Sequence, residues 1–307
     1  MTRRWPGSAS SPPPPASEPP VSPHSSPRRA ERPPAPEPLP VPVVDNHTHI
    51  DIERDGVAMG ADDGVHGVIA QARVVGVDRL VQIGCDLESA RHTASVVDRH
   101  PEVLGGVALH PNEVPVLAAA GELDAALEEI DRLARGERIR VVGETGLDYF
   151  RTPPEGRGAQ VEAFRWHIAK AKELGRALQI HDRDAHEDVL RVLAEEGAPE
   201  KTVMHCFSGD IGMARECVER GYLLSFAGTV TFKNARDLRD ALSVVPLDQV
   251  LVETDAPYLT PHPHRGAPNA PYLVPLTVRV MATTLNVSVP ELCAAISENS
   301  ERVYGPW

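Results

Sequence analysis

Residues 41–49 read VPVVDNHTH, an apolar run of strand formers that breaks into Asp45, His47 and His49. In an extended strand, residues two apart point to the same side. The three side chains are therefore expected to project together where the apolar run ends, with Asn46 pointing away. Two imidazoles on one face suit a divalent metal, because each neutral ring offers one nitrogen lone pair. The plainer alternative is that one ring caps a backbone carbonyl while the other is solvated, so the motif has to be weighed with the rest of the chain.

Outward from that stretch the pattern alternates. Short β-branched runs at 41–47, 79–84, 104–109, 139–144, 177–181, 202–206, 222–226 and 249–254 predict strands. Segments with apolar residues at helical spacing lie between them, near 64–76, 87–99, 121–135, 158–174, 184–196, 210–220 and 234–243. Two more helices are predicted near 271–285 and 288–303. In the fourth helix Phe164, Ile168, Ala171 and Leu174 share one face. Such βα units imply an α/β fold with parallel strands, either open and doubly wound or closed as a (β/α)8 TIM barrel. Closure is expected. Polar residues stand at the C-terminal ends of the first and last strands alike, and a barrel gathers those ends into one ring.

Residues 1–40 differ in kind. They are rich in Pro, Ser and Arg and have no hydrophobic period. Too few apolar side chains are present to offset the entropy of ordering, so a disordered Pro-rich N-terminal extension is expected, with 41–307 as the barrel. It is read either as a docking tail for a proline-recognising partner or as a dispensable extension. The net charge of −13 excludes a protein that coats duplex DNA by counterion release. It does not exclude an enzyme that grips one phosphodiester in a cleft whose metal supplies the positive charge. Cys85, Cys206, Cys217 and Cys293 are scattered and suggest free thiols rather than a disulfide frame. No apolar run approaches the ~20 residues of a membrane span, and none follows Arg3 and Arg4 as a secretory signal would. A cytoplasmic monomer without membrane association is expected.

The chemistry-bearing residues stand at the predicted strand ends. Strand one supplies His47 and His49, strand three His110, and strand four Glu144 in GETGLDY. Strand five supplies His181 and then Arg183, strand six His205 in MHCFSGD, and strand eight Glu253 and Asp255 in ETDAPYLTP. Each alone has a structural explanation as a cap or a turn residue. Together, imidazoles and carboxylates at one end of one barrel point to a metal site. His47, His49 and Asp255 form a set for one divalent ion, His181 and His205 a set for a second, and Glu144 has two oxygens with which to bridge. Two such ions clamp the attacking and leaving oxygens of a displacement. Asp255 is expected to accept a proton from the attacking water. His110, Glu144 and Asp255 are the expected catalytic groups, and Arg183, Arg265 and Glu253 the expected substrate contacts. Arg265 follows strand eight in PHPHRGAPNAP, where Tyr258 and Tyr272 offer stacking faces. The ligand mix alone leaves the metal open among zinc, iron, magnesium and manganese.

The motifs DNHTH, GETGLDY, QIHDRDAH, HCFSGD and ETDAPYLTP, with HRGAPNAP after them, resemble those of the TatD family of metal-dependent deoxyribonucleases, which belongs to the amidohydrolase-like barrels. The resemblance runs through residues 41–307 in order. It implies a (β/α)8 barrel and metal ligands at His47, His49, Glu144, His181, His205 and Asp255. It further implies one or two divalent ions, magnesium or manganese before zinc. The implied activity is hydrolysis of DNA phosphodiester bonds, commonly from the 3′ end of single strands, with DNA ends or short single strands as partners and DNA repair or degradation as the setting. The Pro-rich extension is outside the family pattern, and Asn46 stands where Ser, Thr or Ala is more usual. A competing reading keeps the metal and changes the bond, giving a deacylase or amidohydrolase such as one acting on D-aminoacyl-tRNA; fold alone does not separate the two. A non-catalytic scaffold is the third, and the intact ligand set argues against it.

Overall fold

Eight parallel strands follow one another around a barrel in chain order: β1 (Val43–Thr48), β2 (Val77–Gly84), β3 (Val103–Val107), β4 (Ile139–Asp148), β5 (Ala177–Arg183), β6 (Thr202–Met204), β7 (Leu223–Phe226) and β8 (Val250–Val252). This computed structural model describes residues 32–53, 59 and 63–307. Helices α1 (Gly64–Val74), α2 (Leu87–Val97), α3 (Val114–Ala120), α4 (Leu123–Ala134), α5 (Pro154–Leu174), α6 (His186–Glu196), α7 (Ile211–Glu219) and α8 (Arg236–Leu242) fill the crossovers. Two further helices, α9 (Val274–Leu285) and α10 (Val289–Tyr304), follow β8. The strand tips close the ring above the last rungs: Asp255 N donates to His47 O and His49 N to Ala256 O. Among the described residues no single helix is long and apolar enough to cross a membrane.

Strands covered on both faces read as apolar runs, and each of the eight contributes here to a small inner cluster that includes Val44, Ile83, Leu104, Val203 and Leu251. Val303 and Tyr304 at the end of α10 belong to that cluster and plug the floor of the barrel. The larger core lies between the outer strand faces and the helices. This arrangement places the polar strand ends on the side away from α10.

Three departures from the sequence reading have physical causes. The β3–α4 connection contains α3, whose seven residues span barely two turns and give no measurable apolar period; Pro115 starts it and Gly121 ends it in the left-handed region at φ 72°. Second, β4 runs on past Glu144 to Asp148. It does so because Gly146, at φ 136°, lets the two backbones approach: a Cβ there would lie 2.1 Å from His181 O. Third, the ordered body starts ahead of residue 41. Residues 32–40 form an extended strap, with Leu39 N donating to Val75 O, Tyr272 Oη donating to Pro33 O, and Arg279 donating to Glu37 O and Pro38 O. Proline removes donors but leaves carbonyls, and these carbonyls are what the barrel binds. Of the expected disordered extension, residues 1–31 lie outside the described residues.

Candidate metal centre

The geometry of the site begins with an irregularity in β1. Asp45 is opposite Leu80 and Thr48 opposite Gln82, so three steps of β1 match two of β2. One extra residue shifts the alternation of side chains. Asn46 and His47 both reach the barrel interior as a result, and Asp45 does not join them. This corrects the expectation that Asp45 projects with the histidines and that Asn46 points away. The Asp45 carboxylate instead accepts from Thr254 N (2.9 Å) and Thr254 Oγ1 (2.6 Å), tying β1 to the chain beyond β8. Its burial pushes its carboxyl up to about 7 in spite of those bonds.

Asn46 anchors a buried polar floor. Its Nδ2 donates to Ser225 Oγ (2.7 Å) and Val252 O (2.6 Å), and its Oδ1 accepts from Tyr304 Oη (2.9 Å). Gln179 Nε2 donates to Asn46 O and to Tyr304 Oη, both at 2.8 Å. Gln179 Oε1 is thereby turned toward His47 Nδ1, 2.8 Å away, and must accept from it. His49 Nδ1 likewise faces a pure acceptor, Ile83 O, at 3.0 Å. With a proton on Nδ1, a neutral imidazole carries its lone pair on Nε2. The two Nε2 atoms are 3.2 Å apart and aimed at each other. Two lone pairs so placed repel unless a proton or a metal ion lies between them, and with the Asp255 and Glu144 carboxylates beside them the donor set has the chemistry for a divalent metal.

Glu144 stands at the centre of the other donors. Its carboxylate lies 3.5 Å from His47 Nε2, 2.5 Å from His181 Nδ1 and 3.2 Å from His205 Nε2, with His110 Nε2 at 3.5 Å. Burial disfavours its charge, yet the surrounding imidazoles, His205 and His110 foremost, hold its carboxyl well below the usual carboxylate range. Asp255 Oδ1 is 3.4 Å from His49 Nε2. Asp255 takes φ 52°, a left-handed conformation that Asp tolerates better than most residues, and this turns it inward. Donor atoms close enough to share an ion fall into groups: His47, His49 and Asp255; His47, His205 and Glu253; His110, Glu144 and His181; and His49, Cys85 and Glu144. His181 Nδ1 and His205 Nε2 both lie against the same oxygen of Glu144, Oε1, at 2.5 and 3.2 Å, and each has a further imidazole neighbour. His205 stacks on His47, with ring centroids 3.6 Å apart, and His181 keeps company with His110.

The site has a closed side and an open one. His47, His49, Glu144 and His205 are buried. The side chains of His110, His181 and Asp255 keep 16–17% exposure and form the side that solvent reaches. Glu253, expected to contact substrate, is fully buried: it accepts from Ser225 Oγ (2.6 Å) and faces His205 Nδ1 at 2.9 Å. Substrate cannot reach it, and its carboxylate stands behind His205, on the side of the ring away from Glu144. Asp148 lies behind His181, its Oδ2 3.3 Å from Nε2. His110 Nδ1 accepts from Asn112 N, so its Nε2 carries the proton. Arg183 stands at the rim over the Phe150 ring, and Arg265 over the Phe232 ring. Sequence reasoning missed Asn46, Gln179, Ser225 and Asp148; a polar residue inside an apolar strand, as Gln179 is, was the available signal.

A profile of the family described as TatD related DNase matches residues 44–305. A protein of Mycobacterium tuberculosis named uncharacterized metal-dependent hydrolase TatD is 45% identical over 270 residues, covering 86% of this chain and 98% of its own length. YabD of Bacillus subtilis, also named an uncharacterized metal-dependent hydrolase, is 34% identical over 265 residues, with 85% and 98% covered. Among solved structures, the TatD homolog YjjV of Escherichia coli superposes with a TM-score of 0.77 at 24% identity, covering 85% of this chain and 97% of its own. At that identity the likeness speaks for the fold.

Proposed function

The chain belongs to the TatD family of metal-dependent hydrolases, and from that premise we propose that it hydrolyses phosphodiester bonds of DNA, trimming single strands from the 3′ end. The observation that carries the reading is the open side of the centre, where a proton acceptor, Asp255, and a proton donor, His110 Nε2–H, both border Glu144 and its imidazoles. One or two divalent ions, when bound by His47, His49, Glu144, His181, His205 and Asp255, polarise the scissile bond and make water acidic enough to react near neutral pH. Magnesium or manganese is our choice for them.

The chain's own groups do the rest. Asp255 reaches both His49 and solvent, and its carboxylate takes the proton of the attacking water. His110 holds its proton at Nε2 and donates it toward the phosphoryl or leaving oxygen. Gln179 holds His47 in the tautomer that leaves Nε2 free inward, and Glu253 stands behind His205. Arg183 and Arg265 are the cations at the rim for flanking phosphates. The test is hydrolysis of end-labelled single-stranded DNA by protein stripped of metal and then resupplied with manganese, with a D-aminoacyl-tRNA in parallel. Metal-dependent shortening supports the reading; release of the amino acid without shortening of DNA replaces it with a deacylase.

A further inference from the structure

The chain is acidic, and many of its surface arginines are spent on carboxylates: Arg79 on Glu301, Arg132 on Glu129, Arg191 on Asp188. Arg183 is an exception. Its guanidinium makes no ion pair or hydrogen bond among the described residues and lies instead 4.0 Å from the centroid of the Phe150 ring. Aromatic residues are only 4% of the chain, yet Phe150 is 62% exposed. A ring covered on one face by a guanidinium, at that exposure, leaves its other face to solvent, an unfavourable arrangement for an apolar group with no occupant.

The pair's position gives it meaning. β4 and β5 run in register with Asp148 opposite Arg183, and Tyr149 N donates to Arg183 O. Phe150 comes two residues after Asp148, whose carboxylate is 3.3 Å from His181 Nε2. Arg183 comes two residues after His181 itself. The pair therefore stands one step outward from His181, on the open side.

We propose that Phe150 and Arg183 form a nucleotide subsite beside the scissile bond, the open face of the Phe150 ring taking a base and the Arg183 guanidinium taking the adjoining phosphate. The inference rests on the phosphodiesterase reading and adds a binding determinant to it. Stacking is indifferent to base identity, since every base has a π-face, so the subsite grips single strands without reading sequence. In a duplex the same face is occupied by the neighbouring base pair, and the subsite favours frayed ends. The cation–ring contact also holds Arg183 in place before substrate arrives, which lowers the cost of fixing a long side chain.

The test uses the full-length protein carrying Asp255→Asn as a trap, with fluorescein-labelled oligothymidylate and the same oligomer made abasic over its three terminal nucleotides. Binding in manganese is read by anisotropy. Adding Phe150→Ala is expected to weaken binding of the base-bearing oligomer about tenfold, within the range of one base stacked on one ring. It should leave the abasic oligomer unchanged, and Phe150→Trp should restore the loss. Equal weakening of both oligomers, or of neither, overturns the subsite. Wild-type protein is assayed for shortening of the same oligomer alongside. Failure to shorten it, with the base-dependent binding difference intact, removes the phosphodiesterase reading and leaves the subsite standing.

Discussion

Gln179 provides a way to separate what holds the barrel floor from what holds the metal. Its Oε1 accepts from His47 Nδ1, and its Nε2 donates to Asn46 O and Tyr304 Oη. In Gln179→Leu the volume is nearly kept and these three bonds are lost, together with the longer 3.3 Å bond from Nε2 to Asn46 Oδ1. The buried His47 N–H is left without an acceptor, at about 1–3 kcal/mol, and the two other bonds are worth about 1 kcal/mol each. The variant should therefore lose roughly 3–5 kcal/mol of stability, and His47, free to change tautomer or turn, should bind metal about 10–100-fold more weakly. Gln179→Glu keeps an acceptor for His47 and removes the donor, so it should lose stability while holding metal affinity near that of the wild type. Urea unfolding of the metal-free protein and calorimetric titration with manganese read the two quantities independently. Wild-type metal affinity in Gln179→Leu, or a parallel loss of affinity in both variants, would refute the assignment of His47 orientation to this one acceptor.

Three further outcomes are expected. Glu144→Gln keeps the shape of the side chain but removes the charge that faces the imidazoles, so hydrolysis should fall at least about 10³-fold, an arithmetic equivalent of ~4 kcal/mol of lost stabilisation, with the far-UV circular dichroism unchanged. His167 is buried and neutral, accepting from Leu109 N at Nε2 and bonded to Thr145 Oγ1 at Nδ1; burial pushes its pKa down to about 3 from an ordinary 6.5. The unfolded chain therefore binds a proton below pH 6.5 that the folded one refuses, and this contribution to stability is present above pH 6.5 and lost as pH falls toward 3. Between pH 7 and pH 5 the loss is about 2 kcal/mol, to be read by urea titration and to be missing in His167→Gln. Gly146→Ala brings a Cβ within 2.1 Å of His181 O at a φ of 136°, so it should lower the melting temperature and, by displacing His181, the metal affinity as well.

Much of this centre was legible because the two relevant signals are local. A strand shows its period in a few residues, and His47, His110, Glu144, His181, His205 and Asp255 each sit where an apolar run gives out. What was not legible depends on contacts between distant segments. The bulge in β1 is defined by its register with β2, and only that register tells that Asn46 turns inward and Asp45 outward. Glu253 looks like any carboxylate at a strand end; its burial follows from Ser225 and His205 closing over it. The strap at 32–40 has the composition of a disordered tail, and its order comes from Tyr272 and Arg279, more than 200 residues later, which bind its carbonyls. Asp148 was hidden by the expectation that β4 stops at Glu144, which Gly146 makes untrue.

In the proposed reaction Asp255, at the metal-binding end of the barrel, takes a proton from water attacking a DNA phosphodiester. The most direct measurement is the rate of shortening of a 5′-labelled single strand by metal-stripped protein as manganese is restored, with Asp255→Asn in parallel. Shortening from the 3′ end that rises with bound manganese in the wild type and is absent in Asp255→Asn is the predicted result. Shortening that survives metal removal, or that proceeds at the wild-type rate in Asp255→Asn, would contradict it.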